Sequence, residues 1–141
     1  MGLDDVYNIL KDILVNAGGT VGEGASTTPA SVWTYSAAAG GISNTTTAVT
    51  IKAAGAVGVK NYVKSMQINW GTLGAGTEIV LRKGAAGTVL WRGVATTAAG
   101  SIDVPFETPV SSDAAQLLEV ATLTATVTGG VYVNAQGYEA P

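Results

Sequence analysis

Residues 61–93, which read NYVKSMQINWGTLGAGTEIVLRKGAAGTVLWRG, predict three β-strands joined by two turns rich in glycine and alanine. Residues 65–70 alternate polar and apolar side chains, the period-2 pattern of a strand that buries one face. Residues 78–82 repeat this alternation, and residues 84–87 fit a four-residue hairpin loop that leads into the third strand. Because Trp70 and Trp91 fall on the apolar faces of their strands, we expect both indole rings to be buried in the core.

Outward from this unit, the chain predicts an all-β fold of about eight short strands. Their connections are short and rich in glycine, alanine, asparagine or proline, and no helical period lies between them. Strands at this spacing predict an antiparallel β-sandwich or jelly roll, and Pro105 and Pro109 indicate a strand end or a sheet edge. The expected strands are residues 32–36, 48–52, 62–70, 78–83, 88–94, 101–104, 117–128 (one strand or two) and 131–138.

The N-terminal residues predict the one helix of the chain. Residues 1–17 place apolar side chains at a and d spacing, acids lie in the first turn, and two glycines follow. Residues 18–31 have the Gly/Ser/Thr composition of a flexible linker, and residues 32–141 form the β-domain. About four helical turns are marginal in water alone, so the apolar stripe needs a partner. The side chains expected to anchor the chain or hold an oligomer are Leu3, Val6, Tyr7, Leu10, Ile13 and Leu14.

The identity of that partner stays open at this point. The helix could rest on its own β-domain, join the same helix of sister subunits, or dock into a groove of another protein, and we favour an intermolecular partner. The sparse charge agrees with this, since only 12% of residues are charged and surfaces covered by neighbours tolerate such a composition. In the second heptad Leu10 takes position a and Ile13 position d. This pairing favours coiled coils of three or four helices, and we expect a trimer.

Charge and composition disfavour several other functions. A net charge of −3 argues against a nucleic-acid partner, and no apolar run is long enough to span a membrane. Six of the seven basic residues lie between positions 52 and 92, whereas residues 101–141 carry five acids and no base. These opposite charges could meet between neighbouring subunits or on adjacent strands of one sheet. Both alternatives remain open from the sequence.

Catalytic chemistry has few candidates, because the chain has no histidine and no cysteine. The usual general base, the usual nucleophile and the usual metal ligands are missing, so we expect no enzyme activity, no metal and no cofactor. Asp103 and Glu107 are the one carboxylate pair to consider, as for glycoside hydrolysis, and two solvated acids are the better interpretation. Residues 71–76 are glycine-rich but lead into a strand and lack the Lys-Ser/Thr of a phosphate-binding loop, which predicts a plain connection.

Exposed aromatic side chains offer a different kind of site. Tyr132 and Tyr138 fall on one face of the last strand together with Asn134 and Gln136. Aromatic faces suit sugar ligands, and their place on this strand face makes these two tyrosines the better candidates for exposed contacts.

Several segments together resemble a known class of domain. The run at residues 61–93, PFETPV at 105–110, LLEVAT at 117–122 and VYVNAQGY at 131–138 resemble the small jelly-roll modules of tailed-bacteriophage virion proteins. These modules occur in head-decoration, head-fibre and tail-fibre components, and the resemblance covers roughly residues 41–138. It implies a structural role, symmetric oligomers and no catalysis.

The expected function is therefore that of a non-enzymatic virion structural protein. It would be made in the host cytoplasm and displayed on the particle, as a capsid decoration or as part of a fibre. Its expected partners are further copies of itself, most simply a trimer, and the major capsid protein or another virion protein. The alternative is a fibre-tip module that binds a host glycan or surface receptor. The sequence leaves open the head or tail location and whether the helix trimerises or docks.

Overall fold

The computed structural model describes residues 2–3 and 31–141, and the second range forms an all-β, sandwich-like fold of two antiparallel sheets. The alternation of apolar and polar residues explains this, since each sheet needs one apolar face to pack on the other. The nine strands are β1 (Ser31–Tyr35), β2 (Ile42–Ser43), β3 (Val49–Lys52), β4 (Lys60–Trp70), β5 (Thr77–Lys83), β6 (Thr88–Ala95), β7 (Gly100–Ser111), β8 (Leu118–Thr122) and β9 (Gly130–Ala140).

The strands divide between a five-stranded sheet, here called sheet I, and a four-stranded sheet, called sheet II. Sheet I has the order β1-β9-β4-β7, and β2 also pairs with β9 beyond the end of β1. Sheet II has the order β3-β8-β5-β6. All of these pairs are antiparallel. The prediction of an antiparallel two-sheet fold is confirmed.

The strand pairs nest around a single tight hairpin between β5 and β6. Going outward from that hairpin, β4 pairs with β7, β3 with β8, and β1 and β2 with β9. The loop between β5 and β6 is the four-residue turn expected from the sequence. Gly84 and Ala86 have positive φ angles of 74° and 52°, and the Gly87 amide donates to the Gly84 carbonyl at 3.2 Å. The strand pairs therefore follow the order of one long hairpin, and they are divided between the two sheets.

The core lies between the two sheets and follows the alternation in the sequence. In β4, Met66, Ile68 and Trp70 are buried, while Gln67 is exposed on the other face. The buried apolar side chains that fill the core most completely are Val63, Ile68, Ile79, Leu81, Leu118, Val120, Val131 and Val133. The burial of Ile68, Ile79 and Leu81 confirms the core predicted for the first two strands of residues 61–93, whereas Val89 on the third strand is 39% exposed.

Two tryptophans pack over glycines on neighbouring strands. Trp33 stands opposite Gly137 in the β1–β9 register, and Trp70 stands opposite Gly100 in the β4–β7 register. A Cβ atom at Gly137 would lie 2.7 Å from the Trp33 ring, and one at Gly100 would lie 2.8 Å from the Trp70 ring. The absence of a side chain at these glycines makes room for the indole rings.

The prediction that Trp91 is buried in the core is confirmed only in part. Trp91 faces the core and packs against it, yet it is only half-buried. The reason is the position of β6, which is the last strand of sheet II and has no neighbour on its far side. The alternation predicted the correct face of the strand, but a residue on an edge strand keeps part of its surface in solvent.

A buried asparagine ties the two sheets together near one end of the sandwich. Asn61 begins the buried part of β4, and its side-chain amide donates to the carbonyls of Ala53 at 2.9 Å and Gln116 at 3.0 Å. Its backbone also exchanges two hydrogen bonds with Ser112. Ala53 directly follows β3, and Gln116 lies shortly before β8. The Asn61 side chain, which belongs to sheet I, therefore binds one segment that follows β3 and one that precedes β8, and both of these strands belong to sheet II.

Three features of the strands differ most from the sequence prediction. β7 continues past both prolines to Ser111, which is possible because it is an edge strand and proline needs no amide partner on the open side. β8 ends at Thr122, and Thr126 lies buried in the following loop, where it accepts from the Asn44 amide and donates to the Gly129 carbonyl. The two-residue strand β2 was not predicted, because two residues are too few to show an alternation of apolar and polar side chains.

The predicted N-terminal helix (1–17) and linker (18–31) lie almost wholly outside the described residues. Of that region the structure describes residues 2–3 and Ser31, and Ser31 is the first residue of β1, not the end of a linker. Within the described part of the chain, no helix is long and apolar enough to cross a membrane.

Candidate functional site

A groove of about 450 Å³ opens on the outer face of sheet I. It crosses all four main strands of the sheet, and its lining is mostly hydroxyl and amide side chains. The lining residues are Thr34, Tyr35 and Ser36 from β1 and its end, Asn134, Ala135 and Gln136 from β9, Ser65, Met66 and Gln67 from β4, and Asp103, Val104 and Pro105 from β7. The volume falls within the range of about 300–1,000 Å³ that is common for small-molecule sites.

Strand register arranges the outward-facing residues of the groove in two rows that run across the sheet. We call them the upper row, Thr34, Gln136, Ser65 and Pro105, and the lower row, Asn134, Gln67 and Asp103. Successive members of each row are register partners on neighbouring strands. Because side chains alternate between the two faces of a strand, both rows point away from the buried core.

Three of the polar side chains in the rows are held by hydrogen bonds. The Gln136 side-chain amide donates to the Ser65 hydroxyl at 2.9 Å. The Ala37 backbone amide donates to the Asn134 Oδ1 atom at 3.1 Å, which fixes this carboxamide and leaves its Nδ2 group for another partner. Gln67 and Asp103 are exposed and form no side-chain hydrogen bond or ion pair with the described residues. The groove therefore combines fixed and available polar groups.

An irregularity in the sheet borders the upper row. β4 shifts register against β9 between Val63 and Ser65, where Lys64 is an extra residue on β4, and it also shifts against β7 at the same step. On β7, the partners of Ser65 and Val63 are Pro105 and Val110, and four residues lie between these partners. Bulges of this kind bend a strand and re-aim its side chains, and they occur often beside functional sites.

Tyrosines occupy the next positions along the strands, on both sides of the groove. Beyond the upper row, Tyr62 and Tyr138 are register partners whose rings stack with centroids 4.8 Å apart and planes 9° apart. Beyond the lower row, Tyr132 stands opposite Asn69. The prediction that Tyr132 and Tyr138 share a face with Asn134 and Gln136 is confirmed, although both tyrosines are half-buried rather than fully exposed.

The predicted anchor residues fall almost entirely outside the described structure. Leu3 is described, and its side chain is 88% exposed. Val6, Tyr7, Leu10, Ile13 and Leu14 lie outside the described residues. The anchoring role of this stripe therefore stays a prediction from the sequence.

The carboxylate pair considered from the sequence does not share one site. Asp103 lines the groove, whereas Glu107 is not in the lining and lies in the stretch where β7 leaves the register of β4. The glycine-rich residues 71–76 connect β4 to β5, as predicted. In the described ranges, no group of three or more acidic residues is placed to hold a metal ion.

Most of the described charges pair within the chain. Two ion pairs join adjacent strands of sheet II, Arg82 with Glu119 and Arg92 with Glu78. Lys83 pairs with Asp113, and a fourth pair, Lys52 with Glu139, links the two sheets. Of the two alternatives left open by the uneven charge distribution, pairing on adjacent strands of one sheet accounts for Arg82 with Glu119, while Lys52 and Lys83 pair elsewhere within the same chain.

Sequence patterns identified only part of the groove. They placed the amides and tyrosines of β9 on one face, but they did not bring Thr34, Ser65, Gln67 and Asp103 beside them. The polar positions of β4 were visible in the alternation. Their convergence depends on the order β1-β9-β4-β7, which joins segments far apart in the chain.

Comparisons with known proteins identify no relative of this chain. No protein-family model, no curated protein and no solved structure matches it.

Proposed function

We propose that this chain is a non-enzymatic structural protein of a tailed-phage virion, built on a jelly-roll domain. The observation that carries the proposal is the nesting of strand pairs around the β5–β6 hairpin. Two facing sheets with the orders β1-β9-β4-β7 and β3-β8-β5-β6 fit a double-sheet jelly roll of eight strands, with β1 and β2 together taking the place of one strand. Jelly rolls are common in viral capsid and lectin domains, and the resemblance of residues 41–138 to phage modules points the same way.

The proposal places the protein on the particle surface as a homo-oligomer, most simply a trimer. The sparse charge of the chain supports contact with neighbours, and the apolar stripe of residues 1–17 supplies a candidate attachment element. Roughly two heptads are too few to hold an oligomer alone, so the β-domains would share the contact. The attachment partner would be the major capsid protein or another virion protein.

The double change Leu10→Asp with Ile13→Asp tests this attachment. Two carboxylates in the apolar stripe would oppose burial of the helix against any partner. If the helix holds the oligomer, light scattering should find monomers. If the helix docks on the particle, the oligomers should persist and no longer bind particles.

A matched control adds the same two charges away from the stripe. Asn8→Asp with Val15→Asp changes two f positions of the heptad, so both oligomer and particle binding should be retained. A wild-type protein that is monomeric at high concentration and also fails to bind particles would refute the proposed role.

The groove supports a second candidate function, a binding module displayed at a fibre tip. Its polar lining suits recognition of a glycan or another surface receptor of the host. The two functions are compatible, because a displayed subunit can carry a binding site on its outward face.

A further inference from the structure

We propose that the groove on the outer face of sheet I binds a neutral saccharide through the amide side chains of Gln67, Asn134 and Gln136. This inference rests on the proposed function only in requiring that this face stay open to solvent on the displayed domain. The binding itself is a property of the β-domain, so it can be tested apart from the particle.

The chemistry of the groove matches a polyhydroxylated ligand. Each carboxamide offers two N–H donors and one carbonyl acceptor, and the hydroxyls of Thr34 and Ser65 both donate and accept. A sugar hydroxyl also donates and accepts, so neighbouring hydroxyls on one ring can be matched by a single amide. Three amides in two adjacent rows supply such matches at several points along the groove.

The dimensions of the groove suit a short chain of sugar units. Crossing from β1 to β7 covers three inter-strand spacings of about 4.8 Å, or roughly 14 Å in all. The groove has a volume of about 450 Å³, and several side chains that can form hydrogen bonds line it. We therefore expect an oligosaccharide to lie across the strands, in contact with both rows.

The charge of the groove selects against anionic ligands. Among the residues that line it, Asp103 carries the one carboxyl group, and neither a lysine nor an arginine is included. A carboxylate in the lower row repels phosphate, sulfate or uronic acid groups and accepts hydrogen bonds from neutral hydroxyls. A neutral sugar is therefore favoured over a charged one.

The floor of the groove is rigid, which lowers the entropic cost of binding. Met66, Ala135 and Val104 carry the backbone beneath the polar rows, and their side chains are buried in the core. β9 and β4 are both paired on two sides, so this backbone is fixed before any ligand arrives. Sites held by paired strands keep their geometry better than sites on loops.

The tyrosines beyond each row extend the same surface. Tyr62 and Tyr138 stack on each other on one side of the groove, and Tyr132 lies on the other side. A tyrosine combines an apolar ring with a polar hydroxyl, as a sugar combines C–H and O–H groups. These side chains can contact sugar units that project past the groove.

The test is a calorimetric titration of the full-length chain with uncharged di-, tri- and tetrasaccharides of glucose, galactose, mannose and N-acetylglucosamine. At least one series should bind with a dissociation constant of about 1 mM or tighter. Gln67→Ala and Asn134→Ala should each weaken that binding about tenfold or more. Gln67 has no side-chain partner among the described residues, so its removal should leave the melting temperature unchanged.

Gln116→Ala provides the matched control, because this glutamine lies before β8 and outside the groove. It should bind the same saccharide as tightly as the wild type. Absence of binding by every neutral series, binding that Gln67→Ala does not weaken, or tighter binding of a uronic-acid oligosaccharide would each overturn the proposal. Particle attachment of Gln67→Ala should match the wild type, so loss of sugar binding and failure of the virion role are separable.

Discussion

Trp70→Ala is expected to lower the free energy of unfolding by about 3–5 kcal/mol. The indole is 8% exposed, packs over Gly100 on β7, and lies in the core between the two sheets. Its Nε1–H also donates to the Ala98 carbonyl at 2.8 Å, so truncation removes a hydrogen bond as well as apolar contacts. Chemical denaturation followed by circular dichroism measures the change.

Trp91→Ala is the natural comparison, because it makes the same chemical change on an edge strand. Trp91 is only half-buried, so less apolar surface returns to water and the expected loss is smaller than for Trp70. If the two variants lose equal stability, the partial exposure of Trp91 on the edge strand does not lower the cost of removing its indole ring. The burial assigned to the two strands would then be wrong.

Glu119→Ala is expected to cost about 3 kcal/mol of folding stability. The carboxylate is buried on β8, lies 2.6 Å from the Arg82 guanidinium, and accepts a hydrogen bond from the Ala86 amide at 2.7 Å. Its removal leaves Arg82, whose side chain is 17% exposed, without a counter-charge, and leaves the hairpin amide without its acceptor. Thermal and chemical denaturation should both report the loss.

Glu78→Ala is the matched control, since it also removes a glutamate from an arginine pair in sheet II. The side chains of Arg92 and Glu78 are 49% and 45% exposed, so solvent screens their attraction and the expected cost is at most about 1 kcal/mol. Similar costs for Glu119→Ala and Glu78→Ala would contradict the argument that burial makes the Arg82 pair important.

The sequence predicted the all-β class and most strands, because alternating side chains report directly which face of a strand is buried. It placed Met66, Ile68 and Trp70 correctly for this reason. It also predicted the β5–β6 hairpin, because a short glycine-rich loop between two alternating segments indicates a tight turn. Gly84 takes its positive φ angle at no steric cost, whereas Ala86 takes one despite its Cβ atom.

Other features depend on contacts that no local pattern contains. The partial exposure of Trp91 follows from the place of β6 at the end of sheet II. Thr126 was expected on a strand, but its hydrogen bonds to Asn44 and Gly129 belong to a loop. The groove is the clearest case, because register pairing joins Gln67 to Asp103 on one side and to Asn134 on the other. Those pairs are set by strand order, which alternation alone does not specify.

The proposed virion role requires that a tailed phage encode the chain, and cryo-electron microscopy of intact particles of that phage would test it most directly. The account predicts density for the two-sheet domain at symmetric positions on the particle surface, with residues 1–17 directed toward the underlying protein. It also predicts that the outer face of sheet I is open to solvent. Purified, infectious particles that lack both this density and the chain itself would contradict a structural role in the virion.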